Sequence, residues 1–274
     1  MIRKNQVAGQ FYPENPKELQ EEINKFLNKA DFPIQKGVKP LALIAPHAGY
    51  VFSGQQAAKA YKSLKNMDYN TVCVISPSHY DYFPSLSIYP GDGYETPLGI
   101  IPIDGDVRDE MIEQGLCIAT EQGHHKEHAL EVQLPFLQTV ISTEFKLIPL
   151  IMGAQDSGTI LNLIHCIQFL YKKFDKNILF VASSDLSHFH NEADAEVLDM
   201  KCINHIKNFD GVSLWKDIEK KEIEACGAGP MAAVLQAFSM EDNIKIKSLG
   251  YSHSGQVIPD RNSVVGYTSA VIYK

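Results

Sequence analysis

Four short, uninterrupted apolar runs punctuate the chain, and helix-period sequence separates most of them. Leu41 to Ala45 (LALIA), Thr71 to Ser76 (TVCVIS), Lys146 to Gly153 (KLIPLIMG) and Ile178 to Ala182 read as strands buried on both faces. Between and around them apolar residues recur at helical spacing. The first helix is capped by Asn15, opens on Pro16, and carries Leu19, Ile23, Phe26, Leu27 and Ala30 on one face, with Phe32-Pro33 ending it. Ser53 is expected to cap a helix through GQQAAKAYKSL. Further helices are expected from Ser157 to Phe174, from Asn191 to Asn208, and from Pro230 to Phe238. The tail SVVGYTSAVIY reads as a last strand, and Ser85 to Ile103 as a hairpin-bearing insertion. Alternating strands and helices predict an α/β fold, a three-layer αβα sandwich around a mostly parallel central sheet. No linker or repeat divides residues 1–274, so one domain is expected.

Charge narrows the partners. The net charge is −8, and the densest cationic pairs, Lys172-Lys173 and Lys220-Lys221, sit beside acidic residues. Nucleic-acid binders need a basic footprint, so that class is set aside. No window approaches the roughly 20 apolar residues of a membrane span, and MIRKNQVAGQFYP lacks the apolar core of a signal peptide. Five cysteines without a CxxC pair argue against a zinc ribbon or a thioredoxin motif. A reducing cytoplasm is the expected location.

The chemistry gathers where the strands stop. One run ends in Pro46-His47, another in Pro77-Ser78-His79, a third in Ser183-Ser184-Asp185 with His188. In open α/β sheets ligands bind beyond the carboxyl ends of the strands, so these residues are expected to converge. Two histidines in equivalent frames point to a metal more strongly than either alone. Cys226, in EACGAGPMAAVLQAF, is placed just ahead of a helix, whose N-terminus is expected to lower its thiol pKa. A tight-turn residue of no chemical role is the competing reading. His128 stands between Glu127 and Glu131, for which a site role and a capping or surface role are both open. His124, His125, His165, His190, His205 and His253 have no such framing.

In order, the segments IAPHAGYVFSG, SPSHY, TPLG, EHALEVQLPFL, SSDLSHF and ACGAGP resemble the Memo family, and AGQFYP and SVVGYTSAVI fit as well. The resemblance spans essentially the whole chain. It implies a fold like that of LigB-type class III extradiol dioxygenases, which split catechol rings with non-haem iron. It also implies His47, His79 and Cys226 as metal ligands, and Asp185 and His188 as catalytic residues of the same pocket. His188 matches the acid-base histidine of those dioxygenases. His128, in Glu-His-Ala where the family has an EHS-type motif, and Phe11, at an aromatic position of the pocket mouth, are the implied substrate-binding residues. Animal members are regarded as cell-motility effectors that bind phosphotyrosine peptides. Microbial members are often encoded beside a radical-SAM enzyme, an implied partner here.

The dioxygenases bind iron with two histidines and a glutamate; here the third ligand would be Cys226. A thiolate is softer and oxidisable, so copper or zinc are alternatives to iron(II). Three functions follow as expectations. The first is a metal-dependent, dioxygenase-like oxidoreductase acting on a small molecule. The second is a catalytically silent module binding a peptide or other ligand, which a basic rim would favour, although only Arg261 and Lys126 lie near the motifs. The third is a metal-free hydrolase using Cys226 or Ser184 with His188, for which no G-x-S-x-G elbow is present.

Overall fold

A computed structural model describes residues 1–31, 34–35 and 37–274. The elements run β1 (Ile2–Arg3), α1 (Pro16–Lys29), β2 (Pro40–Ala45), α2 (Tyr50–Tyr61), β3 (Thr71–Pro77), β4 (Leu86–Ile88), β5 (Gly93–Thr96) and β6 (Gly99–Pro102). They continue with α3 (Gly105–Glu113), β7 (Ile118–Ala119), α4 (Leu134–Val140), β8 (Lys146–Met152), α5 (Ser157–Lys173), β9 (Leu179–Ser183) and β10 (His188–His190). The chain closes with α6 (Glu192–Lys207), α7 (Gly211–Glu219), α8 (Ala228–Ser239), β11 (Lys245–His253) and β12 (Val264–Tyr273).

The four apolar runs are the centre of a nine-stranded sheet, where β2, β9, β3 and β8 lie side by side and parallel. Their continuous hydrophobicity follows from burial on both faces. In β2, Ala42 and Ile44 face one apolar cluster, with α5 and α8, while Leu43 and Ala45 face another, with α1 and α2. Cys73 and Ile75 of β3 divide from Val72 and Val74 in the same way. The protein is therefore α/β, as its sequence pattern predicts.

The sheet as a whole is mixed, which corrects the expectation of a mostly parallel one. β12 pairs antiparallel with β2, β11 and β10, and β4 pairs antiparallel with β8. The cause is connection length. Parallel neighbours need a crossover of about a dozen residues or more. The short loops 78–85 and 254–263 contain no crossover helix, so the chain turns back instead. β5 and β6 form the expected hairpin, but they join β1 in a separate three-stranded sheet, while β4 belongs to the main one.

Asn15 caps α1 by accepting from the backbone N–H groups of Lys17 and Glu18. The expected stop at Phe32-Pro33 lies outside the described residues. Ser53 is not a cap: α2 starts three residues earlier, at Tyr50, and the Ser53 hydroxyl donates to Ala48 O at 2.8 Å. β11 escaped the sequence reading because KIKSLGYSH is mostly polar, as suits a lysine-bearing strand at the sheet's edge.

Candidate metal centre

β9 lies between β2 and β3, so the exits of all three open on one edge. His47 follows β2 and His79 follows β3; their ring centroids are 5.2 Å apart and nearly perpendicular. Cys226 comes from the turn before α8, and its Sγ lies 3.1 Å from His47 Nε2. This turn approaches β9 very closely. A Cβ on Gly227 would stand 2.2 Å from Ser183 O, so only glycine fits, and its N–H donates to Ser184 Oγ at 2.9 Å. His47 is buried, Cys226 is half-buried and His79 faces solvent. One donor atom from each of the three lies within 4.8 Å of the others. That is near the span of an ion with ligand bonds of about 2.0–2.3 Å.

Each histidine is held from behind. The Nδ1 of His79 donates to Glu127 Oε1 at 2.9 Å, and the His79 backbone N–H donates to Glu127 Oε2 at 2.6 Å. The Nδ1 of His47 lies 2.8 Å from Ser183 Oγ, and its backbone N–H donates to Asp185 Oδ1 at 2.8 Å. Both arrangements match the usual support of a metal-binding histidine, whose second nitrogen meets a polar group.

Electrostatics set the resting protonation. Burial, then the neighbouring His79, pulls His47 down to about 3, so its ring is neutral. Burial also lowers His79, but the Glu127 carboxylate outweighs it and the net shift is upward. Glu127 is buried, which alone would raise its pKa, yet its contacts with His79 hold it at about 2. The Cys226 thiol is pushed up, first by burial and then by Asp185. This corrects the expected lowering: desolvation and a nearby carboxylate outweigh the helix N-terminus. A metal binding here would displace the thiol proton.

Asp185 lies on the loop after β9 and His188 opens β10, and the segment between them is pinned to β12 by Leu186 N–H to Gly266 O at 2.8 Å and Gly266 N–H to Ser187 O at 3.0 Å. Asp199 of α6 accepts from Ser187 N–H at 2.9 Å and from Tyr251 Oη at 2.8 Å. It sits so close that a Cβ on Gly266 would meet its Oδ2 at 1.8 Å. The Nδ1 of His188 donates to Leu186 O at 2.8 Å, which leaves Nε2 available. Asp185 is buried, and that burial raises its pKa against the pull of the His47 N–H.

His128 stacks on His79 with centroids 4.7 Å apart and meets His47 edge-on at 5.4 Å. Phe11 packs against His128 with ring centroids 4.9 Å apart. Burial first, then His47, lowers His128 to about 4. Glu127 is buried rather than capping or on the surface. Glu131 does not join the site. It is buried against Arg3 and accepts from Tyr12 Oη at 2.6 Å and from the N–H groups of Gln6 and Val7. Nothing in the sequence relates Glu127 to His79, nor Arg3 to Glu131.

A cavity of about 500 Å³ opens beside the cluster. Phe11, Phe52, Ile258 and Val265 give it apolar walls, with His128, Asp185 and His188 at its polar side, and among the described residues no lysine or arginine lines it. Arg261 pairs with Glu192 at 3.0 Å. A second cavity of about 320 Å³ reaches Cys226 from the side of α7, and His188 borders both.

The family described as Memo-like protein matches residues 3–271. A MEMO1 family protein of Methanosarcina barkeri is 34% identical over 99% of this chain and 100% of its own length. One of Thermoplasma volcanium is 34% identical over 99% and 98%. The crystal structure of an uncharacterized protein of Escherichia coli K12 is similar in fold, with a TM-score of 0.53 at 13% identity, covering 85% of this chain and 100% of that one. Among the described residues no helix is long and apolar enough to cross a membrane.

Proposed function

The chain belongs to the Memo family, and from that premise we propose that His47, His79 and Cys226 hold a metal ion in a dioxygenase-like oxidoreductase. The observation that carries this reading is the convergence of two neutral-capable imidazoles and one thiol, each histidine backed by its own hydrogen-bonding partner. Non-haem iron(II) leads, and copper or zinc suit the same donors. When bound, such an ion would supply Lewis-acid or one-electron chemistry to a molecule in the adjoining cavity.

The protein's own residues divide the remaining work. His188 offers a free Nε2 on the cavity wall and is assigned the proton transfers. Asp185 orients the His47 backbone and lines the same space. His128 and Phe11 form one wall for the ligand. Phe189, also on the rim, is 75% exposed at a φ of 64°. Bulky side chains rarely adopt that conformation, and such strain gathers at ligand sites.

The other two readings have less support. A phosphopeptide module calls for a basic rim, and among the described residues the cavity lining contains no cation. A hydrolase calls for a nucleophile touching His188. Instead, Ser184 Oγ donates to Asp185 O, and Cys226 meets His47, with the thiol held up and the imidazole held down. That pairing disfavours a thiolate–imidazolium pair.

The test is metal analysis of protein purified without oxygen, wild type beside His47→Ala and Cys226→Ala. Near-stoichiometric metal that both substitutions abolish is the expected result. Metal retained in His47→Ala, or a wild type that takes up neither iron, copper nor zinc, overturns the assignment.

A further inference from the structure

A neutral imidazole has one bare nitrogen, and it can ligate only through that one. Around His47 the choice is set by groups that can act in one direction alone. Gln133 Nε2 lies 3.0 Å from Pro46 O and 2.8 Å from Ser183 Oγ. A carbonyl only accepts, so the amide end facing Pro46 is the NH2. The other end then accepts from Tyr61 Oη, at 2.6 Å. Ser183 Oγ lies 2.7 Å from Ala129 O, again a pure acceptor, and 2.8 Å from His47 Nδ1.

The hydroxyl has one hydrogen, and Ala129 O claims it. Gln133 donates to one lone pair of Ser183 Oγ. The other lone pair is left to accept, so the hydrogen between Ser183 and His47 belongs to Nδ1. The reverse arrangement would take the hydroxyl from Ala129 O, for which no other hydrogen bond occurs among the described residues. Ala129, Gln133, Ser183 and Tyr61 are all buried, where an unpaired carbonyl is costly.

We propose that Ser183 and Gln133 are positioning residues that lock His47 as the Nδ1–H tautomer, with its Nε2 lone pair facing Cys226 before any metal binds. The purpose of the lock rests on the metal-centre reading above, but the tautomer itself is a property of the metal-free protein. Three segments meet in it: the exit of β2, the turn before α4 and the last residue of β9. The centre is thus preset by backbone carbonyls, that of Ala129 two hydrogen bonds from the His47 ring and that of Pro46 three.

The test is long-range ¹H–¹⁵N correlation NMR of the His47 ring in metal-free protein at pH 8, for wild type, Ser183→Ala, Ser183→Thr and Gln133→Met. Zinc affinity is measured in parallel by competition with a chelator. Wild type is expected to show Nδ1–H alone. Ser183→Ala should admit the Nε2–H tautomer and weaken zinc binding by about 10- to 100-fold, and Ser183→Thr should restore both. Gln133→Met, which loses the amide at similar length, should move the tautomer ratio the same way. A wild type carrying its proton on Nε2, or a ratio unmoved by both Ser183→Ala and Gln133→Met, overturns the proposal. The wild-type spectrum decides it even where a variant fails to fold. Should the tautomer respond as expected while no form binds zinc, iron or copper, the metal reading falls and the lock stands.

Discussion

Glu127 grips His79 at two points, taking its backbone N–H at 2.6 Å and its ring Nδ1 at 2.9 Å with the two oxygens of one carboxylate. Main chain and side chain are thereby set together, although the residues come from loops far apart in sequence. Glu127→Gln keeps the size and removes the charge. It is expected to weaken metal binding by about 10- to 100-fold and to lower the His79 pKa, because burial would then be opposed only by the weaker pull of Asp185. Metal titration and the pH dependence of the His79 ring resonances check the two effects separately.

Gly227→Ala drives a Cβ to 2.2 Å from Ser183 O. The Cys226 turn must move away from β9, at a cost of about 1–3 kcal/mol. Urea unfolding should show that loss, and metal affinity should fall with it. Unchanged values in both would mean that the close approach constrains nothing.

His188 borders the cavity, but it is not among the three converging donors. His188→Ala is expected to keep wild-type metal content and to abolish whatever turnover the loaded protein has. Loss of metal in this variant, measured by elemental analysis, would move His188 into the ligand set.

Arg3 is buried, pairs with Glu131, and donates to the carbonyls of His124 and Glu127. It ties the N-terminal segment to the loop that bears Glu127 and His128. Arg3→Met leaves Glu131 charged and without its partner, a change that costs about 3–5 kcal/mol. Thermal denaturation should show it, and a variant as stable as wild type would contradict the anchoring role.

Acid should destabilise the protein through His124. Burial, then Arg3, lowers its folded pKa to about 3, against about 6.5 in an unfolded chain. Between those values the unfolded state binds a proton that the folded state refuses. Stability therefore falls as pH drops below about 6.5. His47 adds the same trend in the metal-free protein. His124→Gln should show a shallower decline from pH 7 to pH 4.5, and an identical slope would refute the assignment.

The sequence alone was enough for the α/β class, the four central strands, the cap at Asn15 and the residues at the strand exits, because each depends on local periodicity and local chain chemistry. His47 and His79 were legible as a pair because parallel strands send their exits to one edge, whereas Cys226 joined them only through the resemblance to the Memo family. Three matters were decided only in the folded molecule. The sheet is mixed because loops 78–85 and 254–263 carry no crossover helix, and strand direction follows from the path, not from hydrophobicity. The Cys226 thiol is raised because burial, and after it Asp185, outweigh the helix behind it, a balance that depends on neighbours remote in sequence. The hydrogen bonds behind the two histidines join Glu127 to His79 and Gln133 through Ser183 to His47. Such pairings leave no periodicity or spacing in the chain, since they exist only once distant segments are packed side by side.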